Sequence, residues 1–292
     1  MNRGRRLAGF TLVELLVAMA ISAILLALIL QTVMSILNNW DHQRNSIHKN
    51  LDARAAIDLL ANDLQAIVIR PNQFTTATGT LGAEWLRKDS SNAVQPTGGY
   101  LSSPAAWLMF FTIPVDLDPT SSPEGNICAV SYRLGWEDPI TTGGKYPLLG
   151  LYRTTVPTAT TFTSVLGLMG LAGSKGLEET YWSQGTVNTL ASANFLIPHI
   201  VDFQLIFRAT NPDGSTVEIP ATSDIRLDNT LTVTPAPSGL QTGAKLSSVD
   251  ILLTLIDEKT FARLQIVGSA EAQAALVKQG SRTYTRRVTI SY

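Results

Sequence analysis

Residues 9–30 read Gly-Phe-Thr-Leu-Val-Glu-Leu-Leu-Val-Ala-Met-Ala-Ile-Ser-Ala-Ile-Leu-Leu-Ala-Leu-Ile-Leu, and they decide the architecture. From Leu15 to Leu30 the one polar side chain is Ser22. A helix needs about 20 mostly apolar residues to cross a bilayer, and Phe10 to Leu30 meets that length. Upstream stand Arg3, Arg5 and Arg6 with no acid; beyond Glu14 no charge appears until Asp41. Positive charge before an apolar run keeps the N-terminus cytoplasmic, which puts everything after residue 31 outside. A secretory signal would have a shorter apolar stretch, roughly 7–15 residues, and a small-residue cleavage site on its far side. Here the chain continues Gln31-Thr32-Val33-Met34-Ser35 with no such site.

Glu14 is out of place in a simple anchor. A carboxylate at the centre of a bilayer costs about 2.5–3.5 kcal/mol on insertion scales, less near a helix end, and it wants a partner. The string Gly9-Phe10-Thr11-Leu12-Val13-Glu14 resembles the cleavage and methylation motif of type IV prepilins, pseudopilins and related filament proteins. The resemblance runs through Leu30. It implies that a prepilin peptidase cuts after Gly9 on the cytoplasmic side and methylates the amine of Phe10. It also implies that Glu14, fifth in the mature chain, faces the N-terminal amine of a neighbouring subunit as a filament grows. The physics is consistent, because a carboxylate and an ammonium that pair in low dielectric relieve each other's desolvation.

Helical periodicity persists past the apolar run. Val33, Ile36, Leu37, Trp40, Ile47, Leu51, Ala55, Leu59, Leu60, Leu64, Ile67 and Val68 fall mostly at three- and four-residue spacings. Asp41, Arg44, His48, Lys49, Asp52, Arg54, Asp58 and Asp63 suit a wet face. No Gly or Pro interrupts the stretch before Pro71, which disfavours helix at Arg70. One helix from Phe10 to about Val68 is predicted, roughly 90 Å long, with its second half amphipathic and packed on a globular head. Residues 51–64 are similar to the corresponding stretch of J-type minor pseudopilins of type II secretion, where an A-R-x-A-x-x-x-L-x-x-D-L pattern recurs; here it is Ala53, Arg54, Ala56, Leu60, Asp63 and Leu64.

From residue 71 the texture turns to Thr, Ser, Gly and Pro with short β-rich runs. Strands are predicted at Ala106–Ile113, Asn126–Leu134, Leu148–Thr155, Ile200–Ala209, Val249–Ile256 and Arg286–Tyr292. Val201, Phe203, Leu205 and Phe207 are expected on one face. Thr260–Val267 reads as a strand or a turn into one, and Ala270–Lys278 as a short helix. The fold class is α+β, a mostly antiparallel sheet laid on the back half of the long helix; its order resembles a J-type head. Segments 72–104 and 156–190 look like insertions. Within the second, Val165 to Ala172 is apolar but too short to span a membrane, and is expected to pack on the head or a partner.

Other chemistry is weakly represented. Charged residues make up 15% of the chain and the net charge is -1, which gives no electrostatic call for nucleic acid. The lone Cys128 excludes an internal disulfide and reads as a small buried hydrophobe. Asp116, Asp118, Glu124 and Asn126 form an acidic loop, but they lack the Gly and Glu spacing of an EF-hand. Gly170 to Lys175 has the wrong order for a phosphate loop. His42, His48 and His199 lack metal-site spacing, and no nucleophile elbow is present.

The expected organisation is a cleaved leader at 1–9, a membrane and assembly helix at 10–30, its amphipathic continuation at 31–70 and a periplasmic head at 71–292. The resemblance implies a non-enzymatic minor pilin-like subunit without cofactors, in a type II secretion or type IV pilus-like filament, at its tip. Its implied partners are the prepilin peptidase, other pilin or pseudopilin subunits (I- and K-type for a J-type chain), the inner-membrane assembly platform and membrane lipid. It would start in the bacterial inner membrane and be extracted into a filament. The alternative is a membrane-anchored module whose head captures DNA or a surface polymer.

Overall fold

The computed structural model describes residues 12–69, 75–76, 79–80, 84–90, 106–114, 126–138, 148–166, 194–228 and 230–291. The chain divides into two compact units, residues 1–50 and 51–292. Helix α1 runs over Leu12–Gln65. It ends a few residues before the expected Val68 because β-pairing captures the chain there. Ile67 forms a bridge with Thr112, and the Val68 N–H donates to the Phe111 carbonyl at 2.8 Å. The Thr112 hydroxyl donates to the Asp63 carbonyl at 2.6 Å, satisfying one of the acceptors that a helix end leaves open.

Within the second unit the strands form three antiparallel sheets. The smallest pairs β1 (Thr75–Thr76) with β2 (Gly79–Thr80). The next strands are β3 (Leu86–Asp89), β4 (Trp107–Thr112), β5 (Cys128–Glu137), β6 (Leu148–Val156) and β7 (Phe195–Pro198). Then come β8 (Ile200–Thr210), β9 (Thr216–Ile219), β10 (Asp224–Leu227), β11 (Leu231–Thr234), β12 (Lys245–Ile256) and β13 (Ser281–Thr289). A seven-stranded sheet has the order β11-β10-β3-β4-β5-β6-β7, and a four-stranded sheet the order β13-β12-β8-β9. The chain passes from one sheet to the other at His199, whose φ of 59° turns the corner. A helical turn, α2 (Thr158–Thr160) with a π-type continuation to Leu166, follows β6. Helices α3 (Glu258–Ile266) and α4 (Ala270–Gly280) lie between β12 and β13.

The main core joins the helix to both sheets. Ala53, Ala56, Ile57, Leu60, Ala61 and Leu64 of α1 cluster with Leu108, Phe110, Val130 and Leu151 of the larger sheet. Phe203, Leu205, Phe207, Val249 and Ile251 of the smaller sheet complete it. Each fully buried Leu or Phe contributes about 1.5–3 kcal/mol. Strand β4 reads as an unbroken apolar run because both of its faces are covered. Leu108 and Phe110 enter this core, while Trp107, Met109 and Phe111 enter a second cluster with Trp85 and Val165.

Several expectations are corrected. The buried stripe is rotated from the predicted one: Leu51 and Ala55 are exposed, whereas Asp63, expected on the wet face, is fully buried. Residues 260–267 are not a strand: α3 covers Thr260 to Ile266, capped by Asp257, which accepts from the Thr260 N–H and hydroxyl at 2.7 Å each. Its Phe261 and Leu264, three apart, are buried. Val201 is turned away from Phe203, Leu205 and Phe207. A β-bulge leaves it as the extra residue opposite Thr254 and Leu255, and it packs instead with Ile256, Phe261 and Leu264. The last strand starts at Ser281 and ends at Thr289, earlier than Arg286–Tyr292. Segment 72–104 contributes β3, which lies between β10 and β4 in the larger sheet. Strands β1, β2, β3, β7, β9, β10 and β11 were not predicted.

Candidate functional site

Gly9 and Phe10, the expected processing site, lie outside the described residues. Glu14 stands in the first turn of α1 and is exposed. A carboxylate there is favoured by the partial positive charge of the helix N-terminus. Around it the surface is apolar. Leu12–Leu37 is a 26-residue apolar stretch with none of it buried within the chain. Leu12, Leu16, Ile24, Leu26 and Ile29 are all more than half exposed. An apolar helical surface of this extent needs lipid or other helices around it. The Thr32 hydroxyl donates to the Leu28 carbonyl at 2.8 Å, which satisfies it without interrupting the helix.

Residues 4–30 match the family described as the prokaryotic N-terminal methylation motif. The N-terminus is of the prepilin type. No curated protein matches the chain significantly. Among solved structures, a chain of the GspK-GspI-GspJ complex from the type 2 secretion system of enterotoxigenic Escherichia coli has 15% identity and a TM-score of 0.34, covering 84% of this chain and 98% of that one. A type IV-like pilin from Thermus thermophilus has 10% identity and a TM-score of 0.35, covering 82% and 94%. A likeness of that size decides neither fold nor function.

The head holds a buried ionic site that sequence reasoning missed. Asp63, on the inner stripe of α1, is fully buried. Its Oδ2 accepts from the Tyr132 hydroxyl at 2.5 Å and from Arg153 Nε at 2.9 Å, and its Oδ1 accepts from Arg153 Nη2 at 3.3 Å. Tyr132 and Arg153 come from adjacent strands, where they are paired directly across β5 and β6. Burial, and then the neighbouring carboxylate, hold the Tyr132 phenol well above its ordinary range. The arrangement ties the helix to the sheet by charge-assisted bonds. It is built as a lock between the helix and the sheet. The signal was present in the sequence: Asp63 falls three residues after Leu60 and seven after Ala56, and Arg153 alternates in register with Leu149 and Leu151.

A second polar cluster fastens β3. Lys88 is fully buried and donates to the carbonyls of Ala221 and Ser223, the latter at 2.6 Å. Burial lowers its pKa to about 8, with Asp224 and Asp89 opposing the shift. Asp224 accepts from the Ser90 N–H at 2.7 Å, and Arg87 pairs with Asp89 at 2.8 Å. On the smaller sheet, Asp250 binds Arg287 and Arg208 at 2.6 and 2.5 Å. The Arg287 hydrogen bond, aided by Arg208, holds its carboxyl at about 2.

The remaining sequence candidates carry less. Cys128 is buried, 3.4 Å from the Thr158 hydroxyl, as expected of a small core residue. His199 packs against Phe261 with ring centroids 4.7 Å apart and the rings tilted by 46°. Of the apolar piece from Val165 to Ala172, Val165 is buried in the second cluster; 167–172 lie outside the described residues. So do Asp116, Asp118, Glu124, Gly170 to Lys175 and the side chains of His42 and His48. Among the described residues, no group of His, Cys, Asp and Glu is arranged to hold a metal ion.

Proposed function

We propose that this chain is a minor pilin-like subunit, a pseudopilin, of a type II secretion or type IV pilus-like filament. It is cleaved after Gly9, N-methylated at Phe10 and assembled through its N-terminal helix, with a place at the filament tip. The observation that supports this reading is the methylation motif over residues 4–30 running into an apolar helix that is wholly unburied within the chain. Its role is assembly, not catalysis. The apolar surface holds the subunit in the inner membrane with the head outside, and later packs against neighbouring subunits. Glu14 pairs there with the amine of an adjacent Phe10. The partners are the prepilin peptidase, the assembly platform, membrane lipid and other pseudopilins, of I- and K-type if this chain occupies the J position.

The test is Glu14→Ala in cells carrying the cognate assembly machine. The variant is cleaved like the wild type but is lost from sheared filaments, and secretion or piliation falls at least about tenfold, the rate factor that 1.4 kcal/mol already supplies. Normal secretion or piliation by Glu14→Ala contradicts the assembly role.

A further inference from the structure

The apolar surface of α1 extends beyond the span expected at 10–30. It reaches Leu37, and one helical step further stands Trp40, with 69% of its surface exposed. The other tryptophans of the described residues behave differently: Trp85 and Trp107 are buried and Trp136 is half-buried in the head. A single exposed aromatic on a soluble surface needs no explanation. Trp40 is distinguished by its position, three residues past the last apolar side chain of the span and directly before Asp41, the first charge after Glu14.

Length supplies the second argument. From Glu14 to Trp40 the helix rises about 39 Å at 1.5 Å per residue. A bilayer is about 30 Å across its hydrocarbon and about 40–45 Å with its headgroup regions. The two residues are therefore spaced to reach opposite headgroup layers, with only apolar and small polar side chains between them. An indole suits that layer, because its body is apolar and its N–H finds water or a lipid oxygen.

We propose that Trp40 is the outer interfacial anchor of this chain. Its ring sits among the lipid headgroups and glycerol oxygens of the outer leaflet, and the membrane-buried stretch is Leu15 to Leu37. This rests on the membrane reading above and sharpens it. Glu14 then lies at the inner headgroup layer, where its charge costs little. Gln31, Thr32 and Ser35 lie inside the bilayer, where the Thr32 hydroxyl is already bonded to the helix backbone.

The test uses the full chain in vesicles of phosphatidylethanolamine and phosphatidylglycerol. The lipids carry a spin label either beside the headgroup or near the acyl-chain end. The chain has five tryptophans, so the difference in fluorescence between wild type and Trp40→Phe isolates Trp40. A reference is Leu26→Trp in the Trp40→Phe chain, which reports the middle of the span. The expected result is that the headgroup label quenches the Trp40 signal about twofold more than the chain-end label, as a ring at the interface requires. The reference residue shows the opposite order. If the reference is deep while Trp40 is quenched by neither label, or most by the chain-end label, the anchor is overturned and the membrane reading stands. If the reference is quenched by neither label, the helix does not cross the bilayer and both readings fall.

Discussion

The two ends of α1 solve the same problem in opposite ways. Over Leu12–Leu37 the helix is apolar on all sides and unburied within the chain. Over residues 51–65 it is two-faced, with a narrow stripe of Ala53, Ala56, Ile57, Leu60, Ala61 and Leu64 in the core. Each end carries one carboxylate in an apolar setting. Asp63 is fully buried and meets Arg153 and Tyr132 inside the same chain. Glu14 stays on the exposed surface of the helix. The difference teaches that one continuous helix serves two solvents. The head-side end is specified by the chain's own strands, whereas the other end is written for surroundings that a single chain does not supply.

That contrast can be broken by mutation. The largest effect is expected at the buried pair: Asp63→Ala leaves Arg153 buried without its anion and destabilises the head by about 3–5 kcal/mol. Urea unfolding of the detergent-solubilised chain, followed by tryptophan fluorescence, reads this directly. Glu14→Ala in the same assay leaves the unfolding free energy within about 0.5 kcal/mol, as exposed sites do. Equal losses at the two positions would erase the distinction between them. The apolar residues give the next contrast. Leu60→Ala opens a cavity and costs about 2–5 kcal/mol, while Leu25→Ala, 55% exposed, leaves head stability unchanged.

Lys88 sharpens the account of the head through pH. Its folded pKa of about 8 lies below its ordinary 10.5. As pH rises between those values the folded state releases the proton first, so the unfolded state binds more protons and stability increases. Chemical unfolding across that window shows the rise in the wild type, and Lys88→Met removes it. A slope unchanged by the substitution would place its origin elsewhere. The smallest effect belongs to the surface pair of Arg286 with Asp58, 36% and 59% exposed. Arg286→Ala changes stability by about 0–1 kcal/mol, and less in high salt.

The sequence was most legible where one physical demand dominates. The span needs only length and apolarity, and strand β8 shows an alternation that survives in the fold from Phe203 to Thr210. It was least legible where tertiary contacts override local preference. Strand β3 is Leu-Arg-Lys-Asp, three charges in four residues, yet all four side chains are buried because Lys88 finds backbone carbonyls and Arg87 finds Asp89. The end of α1 yields to pairing with β4, and Val201 is turned by a bulge that spacing alone does not reveal. Asp63 was assigned to water because charge was weighed above helical position. For the N-terminus the position was reversed: the methylation motif matched over residues 4–30 is local, and needs no fold to be recognised.

The most direct test of the central claim is the mass of the mature chain. The protein is expressed with and without its prepilin peptidase, and its intact mass and N-terminal peptide are determined. The account predicts a chain beginning at N-methylated Phe10, found only when the peptidase is present. An uncut chain in both cases, or one cut beyond Leu30, would contradict it and leave the N-terminus a plain anchor or a secretory signal.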